Sequence, residues 1–131
     1  MKKMYTVGMY STGDLTREQL KDIFSKAGGF KKAVYELVGK ALDDPDPMQM
    51  QPEDTEAKAE SHMNSSISIS ENTWAVHSWN ITFSGIMEIW TADDDGDFLD
   101  GSDYDWSYTD SQLEELKALY DDTMGIDREE A

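Results

Sequence analysis

Carboxylates are the side chains of this sequence dense enough to do chemistry together. Residues 90–110, WTADDDGDFLDGSDYDWSYTD, hold eight acids and no Lys or Arg, and Glu88 just upstream makes nine. Three chemistries are open to such a run. Paired carboxylates perform general acid-base catalysis, but with twenty-eight acids in the chain some pair is always close, so pairing alone carries no specificity. A hard cation takes several carboxylate oxygens around a Gly turn. Setting Gly96 at the sixth position of a calcium loop puts Thr91, Asp93 and Asp95 at the first, third and fifth, yet Ser102 stands at the twelfth, where a bidentate Glu is required. The third chemistry is replacement of phosphate. Alternate side chains of an extended segment share a face at about 7 Å per two residues, so Asp93, Asp95 and Asp97 are expected to line one side, with Asp103 and Asp105 forming another short row. The bland alternative is a solvated acidic loop, the usual fate of a charge run.

Aromatic residues are threaded through the acids. Trp90 and Phe98 are expected to fold back onto a sheet, whereas Tyr104, Trp106 and Tyr108 are residue types that carry binding energy at protein interfaces. The candidate partner-binding set is therefore Asp93, Asp94, Asp95, Asp97, Asp100, Asp103, Tyr104, Asp105, Trp106 and Tyr108. Elsewhere the chemistry is thin. His62 and His77 are the only histidines, their spacing gives no support to a zinc site, and no glycine-rich phosphate loop or nucleophile elbow is present. No catalytic residue, cofactor site or metal site is assigned, and the chain is not expected to be an enzyme.

The elements that position the acidic run follow from periodicity. Residues 3–10, KMYTVGMY, read as a strand ended by the turn-prone STGD. Thr16 followed by Gln19 is a capping-box signature; Leu20, Ile23, Phe24 and Ala27 fall at helical spacing, and Gly28 and Gly29 stop a helix over 17–27. A second helix over 30–42 presents Phe30, Ala33, Val34, Leu37, Val38 and Ala41 on one broad face, and Pro45 and Pro47 end it. Residues 43–62 lack periodicity and read as an acidic flexible connector. Short alternating runs at 65–70, 73–79 and 81–90 predict an antiparallel meander, with Gly85 marking a bulge. Ile67, Ile69, Trp74, Val76, Ile81, Phe83 and Ile89 are its expected core-facing residues, and the first strand is expected at an edge of this sheet. After the acidic run, Thr109 with Gln112 repeats the capping box, Leu113, Leu116, Leu119 and Tyr120 supply an apolar stripe, and Gly125 ends a last helix.

The expected class is α+β: a three- or four-stranded antiparallel sheet with an N-terminal helical hairpin and a C-terminal helix. It is read as one domain over 1–131, with a strand and two helices in 1–42, the connector in 43–62, and the meander, acidic loop and last helix in 63–125. No cysteine is present, so disulfide frameworks and thiolate zinc sites are excluded. The N-terminal apolar run is too short for a signal peptide, and nothing approaches a membrane span, which fits the cytoplasm of a host cell.

Charge is unevenly distributed. Residues 1–42 carry eight basic against four acidic residues, a balance of +4; residues 43–131 carry three against twenty-four, a balance of −21, for a net charge of −17. Such a field repels nucleic acid and anionic membrane and attracts basic surfaces. The expected partner is a basic protein that handles nucleic acid, with no direct nucleic-acid or membrane contact.

In size, absence of cysteine, acidity and aromatic content the chain resembles the small inhibitors encoded by phages and mobile elements, among them anti-CRISPR and DNA-mimicking anti-restriction proteins. The likeness spans the chain as composition and, as a motif, the run from Asp93 to Asp105; no family signature is matched and no residue role is carried over. It implies occupation of a basic nucleic-acid channel in a Cas effector, restriction enzyme or similar target. Alternatives from other classes are a regulatory or DNA-binding protein using residues 1–42, a calcium-binding module, and an immunity protein against a basic toxin. For the first of these, a strand followed by two lysine-bearing helices loosely resembles ribbon-helix-helix and helix-turn-helix repressors, but Lys31 and Lys32 open the second helix with no Arg, Asn or Gln to read base edges.

Overall fold

The computed structural model describes residues 1–43, 48–49, 52–74 and 77–126. The strand β4 (Ser78–Ala92) is the axis of the fold. Its sequence, SWNITFSGIMEIWTA, is too continuously apolar for one solvated face, as befits a strand covered on both sides. β1 (Lys2–Thr16) runs antiparallel along one flank over nearly its whole length. The other flank is shared end to end: β3 (Ser66–Asn72) pairs with residues 78–84 and β5 (Phe98–Asp105) with residues 87–92. β2 (Met48–Gln49) adds to the outer side of β1 at Gly8 and Met9. The sheet is thus antiparallel and five-stranded rather than three- or four-stranded, and β1 lies inside it, not at the edge of a meander.

The helices form where their local signals place them. α1 (Arg17–Ala27) starts from a complete Thr16/Gln19 capping box and stops at Gly28 in the left-handed region, and α2 (Phe30–Leu42) follows directly. The helical hairpin is therefore the second unit of the chain, and the N-terminal element is a strand. α4 (Asp110–Met124) starts from the Thr109/Gln112 box and stops at Gly125, which has φ +70°. Together these three helices cover one sheet face, where Tyr10, Leu15, Leu20, Phe24, Leu37, Val38, Ile81, Phe83, Ile86 and Leu116 are buried.

Three corrections have local physical causes. STGD does not end the first strand: β1 continues to Thr16 through a register shift between Ser11 and Asp14, with Gly13 at φ +73° absorbing the irregularity. Of residues 73–79, the described Thr73, Trp74 and His77 lie in no strand. Ser78 and Trp79 begin β4, Trp74 stands in the β3–β4 connection at 96% exposure, and Val76 lies outside the described residues, as do Pro45 and Pro47. Ile89 is on the wrong face for the helices, and the reason is Gly85. β1 pairs Gly8 with Ile86 and Met9 with Ser84, skipping Gly85, so the bulge reverses the alternation of β4. Odd residues face the helices before it and even residues after it; Ile89 joins Met87 and Val7 on the far face, while Trp90 takes the helix side.

That far face is partly covered by the stretch expected to be a mobile connector. Glu53 exchanges two backbone hydrogen bonds with Tyr5, at 2.9 and 2.7 Å, and α3 (Glu56–Ser61) seats a fully buried Ala59 against Val7 and Met87. The apolar content of residues 52–63 is small, but one alanine and Met63 suffice where the opposing surface is Val7, Met87, Tyr5 and Ile89.

Candidate functional site

The acidic run is a β-hairpin. Its tip is built by Asp93, whose Oδ1 accepts from the backbone N–H of Asp95 and of Asp97, both at 2.9 Å. The Asp93 N–H donates to the Asp97 carbonyl at 2.9 Å, and Gly96, at φ +89°, donates to the Asp93 carbonyl at 3.0 Å. An aspartate side chain that satisfies its own turn in this way is a common loop device. Asp93, Asp95 and Asp97 therefore do not form an extended row: Asp93 is half-buried and turned inward, whereas Asp94, Asp95 and Asp97 are exposed around a tight turn. Asp94 lies 3.8 Å from the N-terminal amine.

After the tip the chain re-enters the sheet as β5, whose register assigns each side chain a face. Tyr104 is opposite Glu88, on the helix side; Asp105 is opposite Met87 and Asp103 opposite Ile89, on the far side. The pairing then slips, Trp90 to Ser102 and Thr91 to Asp100, leaving Gly101 unpaired at φ +66°. This bulge brings Asp100 to the same far face as Asp103 and Asp105, and Thr91 Oγ1 locks the site by donating to the Asp100 carbonyl at 2.7 Å. All three acids are exposed, and among the described residues none has an ion-pair partner. Lys3, opposite Thr91 on β1, is the nearest cation by register, and its Nζ stands 5.9 Å over the Tyr5 ring.

The aromatic residues of the run serve the other face. Trp90 is buried and donates from Nε1 to Thr6 Oγ1 at 2.9 Å. Phe98 packs on it at 5.8 Å between ring centres but stays 61% exposed. Tyr104 donates to Glu88 Oε2 at 3.1 Å and meets Tyr10 edge-on. Tyr108 donates to the Ser84 carbonyl at 2.9 Å against the ring of Phe83, and burial pushes its phenol far above the usual value of 10.0. Trp106 is half-buried against Tyr35 of α2, 5.8 Å away. The structure thus separates the ten candidate residues: Asp100, Asp103 and Asp105 stand together, Asp94, Asp95 and Asp97 surround the tip, Asp93 holds the turn, and Tyr104, Trp106 and Tyr108 pack towards the core.

Two exposed aromatics lie outside the candidate set: Tyr35, which sequence reasoning did not single out, and Trp74, which it placed on the side facing the helices. Tyr35, 65% exposed, sits on the lysine side of α2, where its place outside the apolar stripe was a readable signal; Trp74 follows the turn residue Asn72, whose Oδ1 accepts from the Trp74 N–H at 3.1 Å. The histidines are apart and each faces a carboxylate: His62 Nε2 is 3.3 Å from Glu53 and His77 Nδ1 is 3.2 Å from Glu71. Among the described residues no group of three or more His, Asp or Glu is placed to hold a metal ion. Nor, among them, is any helix long and apolar enough to cross a membrane. Comparison with protein-family models, with curated proteins and with solved structures finds no match.

Proposed function

We propose that this protein is a stoichiometric inhibitor, not an enzyme, which binds a basic nucleic-acid-handling enzyme through the acidic face of β5 and the hairpin tip. The observation that carries this reading is the row Asp100, Asp103 and Asp105: exposed, without ion-pair partners among the described residues, and held by a paired strand on the sheet face away from the helices. Preorganisation matters because a fixed row loses less freedom on binding than a floppy loop. Asp103 and Asp105 are spaced by about 7 Å, similar to successive phosphates, so the carboxylates take the place of phosphates at Lys and Arg of the target. The lysines of α1 and α2 belong to the other layer, and Lys3 of β1, opposite Thr91, is the cation nearest the row by register. Use of residues 1–42 to read DNA fits less well, because β1 is committed to β4 along its length.

The test is salt-resolved capture of a target enzyme from bacterial lysate, repeated with duplex DNA as competitor. The wild-type chain is expected to release the enzyme on addition of DNA, and the triple variant with Asp100, Asp103 and Asp105 each changed to Asn is expected to bind roughly threefold to a hundredfold more weakly, given the modest worth of each exposed ion pair. Equal thermal melting of the two proteins shows that folding is intact. Capture that is insensitive both to DNA and to the triple substitution would remove this reading.

A further inference from the structure

The outer edge of β3 is a second surface, distinct from the acidic hairpin, and its character is set by which backbone groups point outwards. Ile81 of β4 donates its N–H towards β1, to Thr12 Oγ1 at 3.2 Å. In an antiparallel ladder a residue's N–H and carbonyl point the same way, and opposite residues alternate between exchanging hydrogen bonds and turning their backs. The pair Ile69–Ile81 therefore turns its back, and with it Ile67–Phe83 and Glu71–Trp79. The amides and carbonyls of Ile67, Ile69 and Glu71 face away from the sheet, and among the described residues no strand pairs with that edge.

Natural edge strands are commonly blunted by charge, bulges or Pro. β5 is blunted in all but the last way, with Asp100, Asp103, Asp105 and the Gly101 bulge. β3 is not: SISISEN has no bulge and no charge before Glu71, and its pairing with β4 is regular from Ser66 to Asn72. Beside it a groove of about 470 Å³ opens between β3 and α4, lined by Ile67, Ala118, Glu114, Glu115 and Gln112, whose Nε2 donates to the Ser65 carbonyl at 2.6 Å. Among the described residues no Lys or Arg lines it.

We infer that this edge accepts an extended basic polypeptide segment of a partner, added to the sheet as a further strand through the amides and carbonyls of Ile67, Ile69 and Glu71. Backbone pairing supplies the attachment and the pockets for alternate side chains supply the choice. On the helix side an apolar β-branched residue lies opposite Ile69, and Lys or Arg flank it, one opposite Glu71 and the other beside Ile67 within reach of Glu114 and Glu115. On the other side Ser66, Ser68 and Ser70 form a neutral row that suits Thr or Ser. A second copy of the chain is the less suitable occupant, since its own β3 and α4 bring Glu71, Glu114 and Glu115 to the same acidic wall and each copy carries −17.

The probe is the blocked peptide Thr-Lys-Thr-Val-Thr-Lys-Thr, with three controls: the same peptide N-methylated at its Lys and Val amides, a version with Glu in place of Lys, and the protein alone in a sedimentation experiment. The parent peptide is expected to slow amide hydrogen exchange at Ile67, Ile69 and Glu71 at least tenfold, the N-methylated and Glu peptides to leave it unchanged, and the triple Asn variant of β5 to respond as the wild type does. Glu71→Pro, which removes one outward N–H from an exposed edge position where Pro is tolerated, is expected to weaken the effect. Protection by the N-methylated peptide to the same degree, protection confined to β5, or no protection at all would each overturn the assignment. So would a dimer of the free protein that already protects these three amides.

Discussion

Replacing Gly85 by Ala tests the feature on which the two faces of the sheet depend. Gly85 has φ +84°, and a Cβ built there lies 2.6 Å from Ser65 Oγ, 2.8 Å from Ser65 Cα and 3.1 Å from Ser65 Cβ. Two costs add. A left-handed conformation costs a side-chain-bearing residue roughly 1–2 kcal/mol, and forcing Ser65 backbone away from a packed position costs roughly another 1–3 kcal/mol. Gly85→Ala is therefore expected to destabilise by roughly 2–5 kcal/mol, a large share of the stability of a domain this size. Gly101→Ala is the internal control: Gly101 is also a bulge residue with φ +66°, but nothing stands within 4 Å of its added Cβ, so only the conformational cost of roughly 1–2 kcal/mol applies. Urea unfolding followed by tryptophan fluorescence measures both, and their difference isolates the close approach. If the two variants lose the same stability to within about 0.5 kcal/mol, the Ser65 contact has no energetic weight and the argument for Gly at position 85 from close packing fails.

Two further outcomes follow from single side chains. Burial holds the Tyr108 phenol protonated where an unfolded chain ionises near 10.0. Because the native state keeps a proton that the unfolded state releases, stability is intact below about pH 10 and falls as the pH rises above it; Tyr108→Phe is expected to flatten that fall in urea titrations from pH 8 to 11, while losing about 1 kcal/mol at pH 8 with the Ser84 hydrogen bond. An undiminished alkaline slope in the Phe variant would place the sensitivity elsewhere. Thr109→Ala removes the cap of α4, whose oxygen accepts from the Gln112 N–H at 3.3 Å, and is expected to cost roughly 0.5–2 kcal/mol in thermal or urea melts, with Thr109→Ser restoring most of it.

The parts of the fold legible in the sequence are those whose signals are local. Both capping boxes, the glycine stops after α1 and α4, and the apolar stripes of α1, α2 and α4 sit within one or two turns of the residues they govern. What was not legible depends on pairing. That Ser78 and Trp79 begin a longer strand depends on where β1 meets them, at Thr16 and Leu15, and this is settled only in three dimensions. Gly85 was readable as a bulge, yet its effect on the parity of Met87, Ile89 and Trp90 required knowing that β1 skips it. The ordering of residues 53–61 was hidden for another reason: a six-residue helix with one buried alanine has too short a pattern to register against a background of Glu, Asp and Gln.

Strand pairing also decides what the acidic run presents. Acids interleaved with aromatics look in sequence like a binding surface with two components, carboxylates for charge and rings for contact. In the sheet the register of one strand, with its slips at Gly101 and Leu99, sorts them: Tyr104 and Phe98 belong to the helix side, where Tyr104 meets Tyr10 and Glu88, and Asp100, Asp103 and Asp105 belong to the other. The two components are separated by the thickness of the sheet and cannot engage one flat partner surface together. A partner held by the acid row therefore lacks the help of Tyr104 and Tyr108. It follows that its affinity is governed by screening: contacts between exposed charges weaken as the screening length shortens from about 10 Å at 0.1 M salt to about 3 Å at 1 M. Aromatic contact with the same partner would have to come from the far-face residues beside the acids, Tyr5 being the one ring of the second core cluster. Binding through this face that survives molar salt and is indifferent to Tyr5 would contradict the separation of roles that the register of β5 imposes.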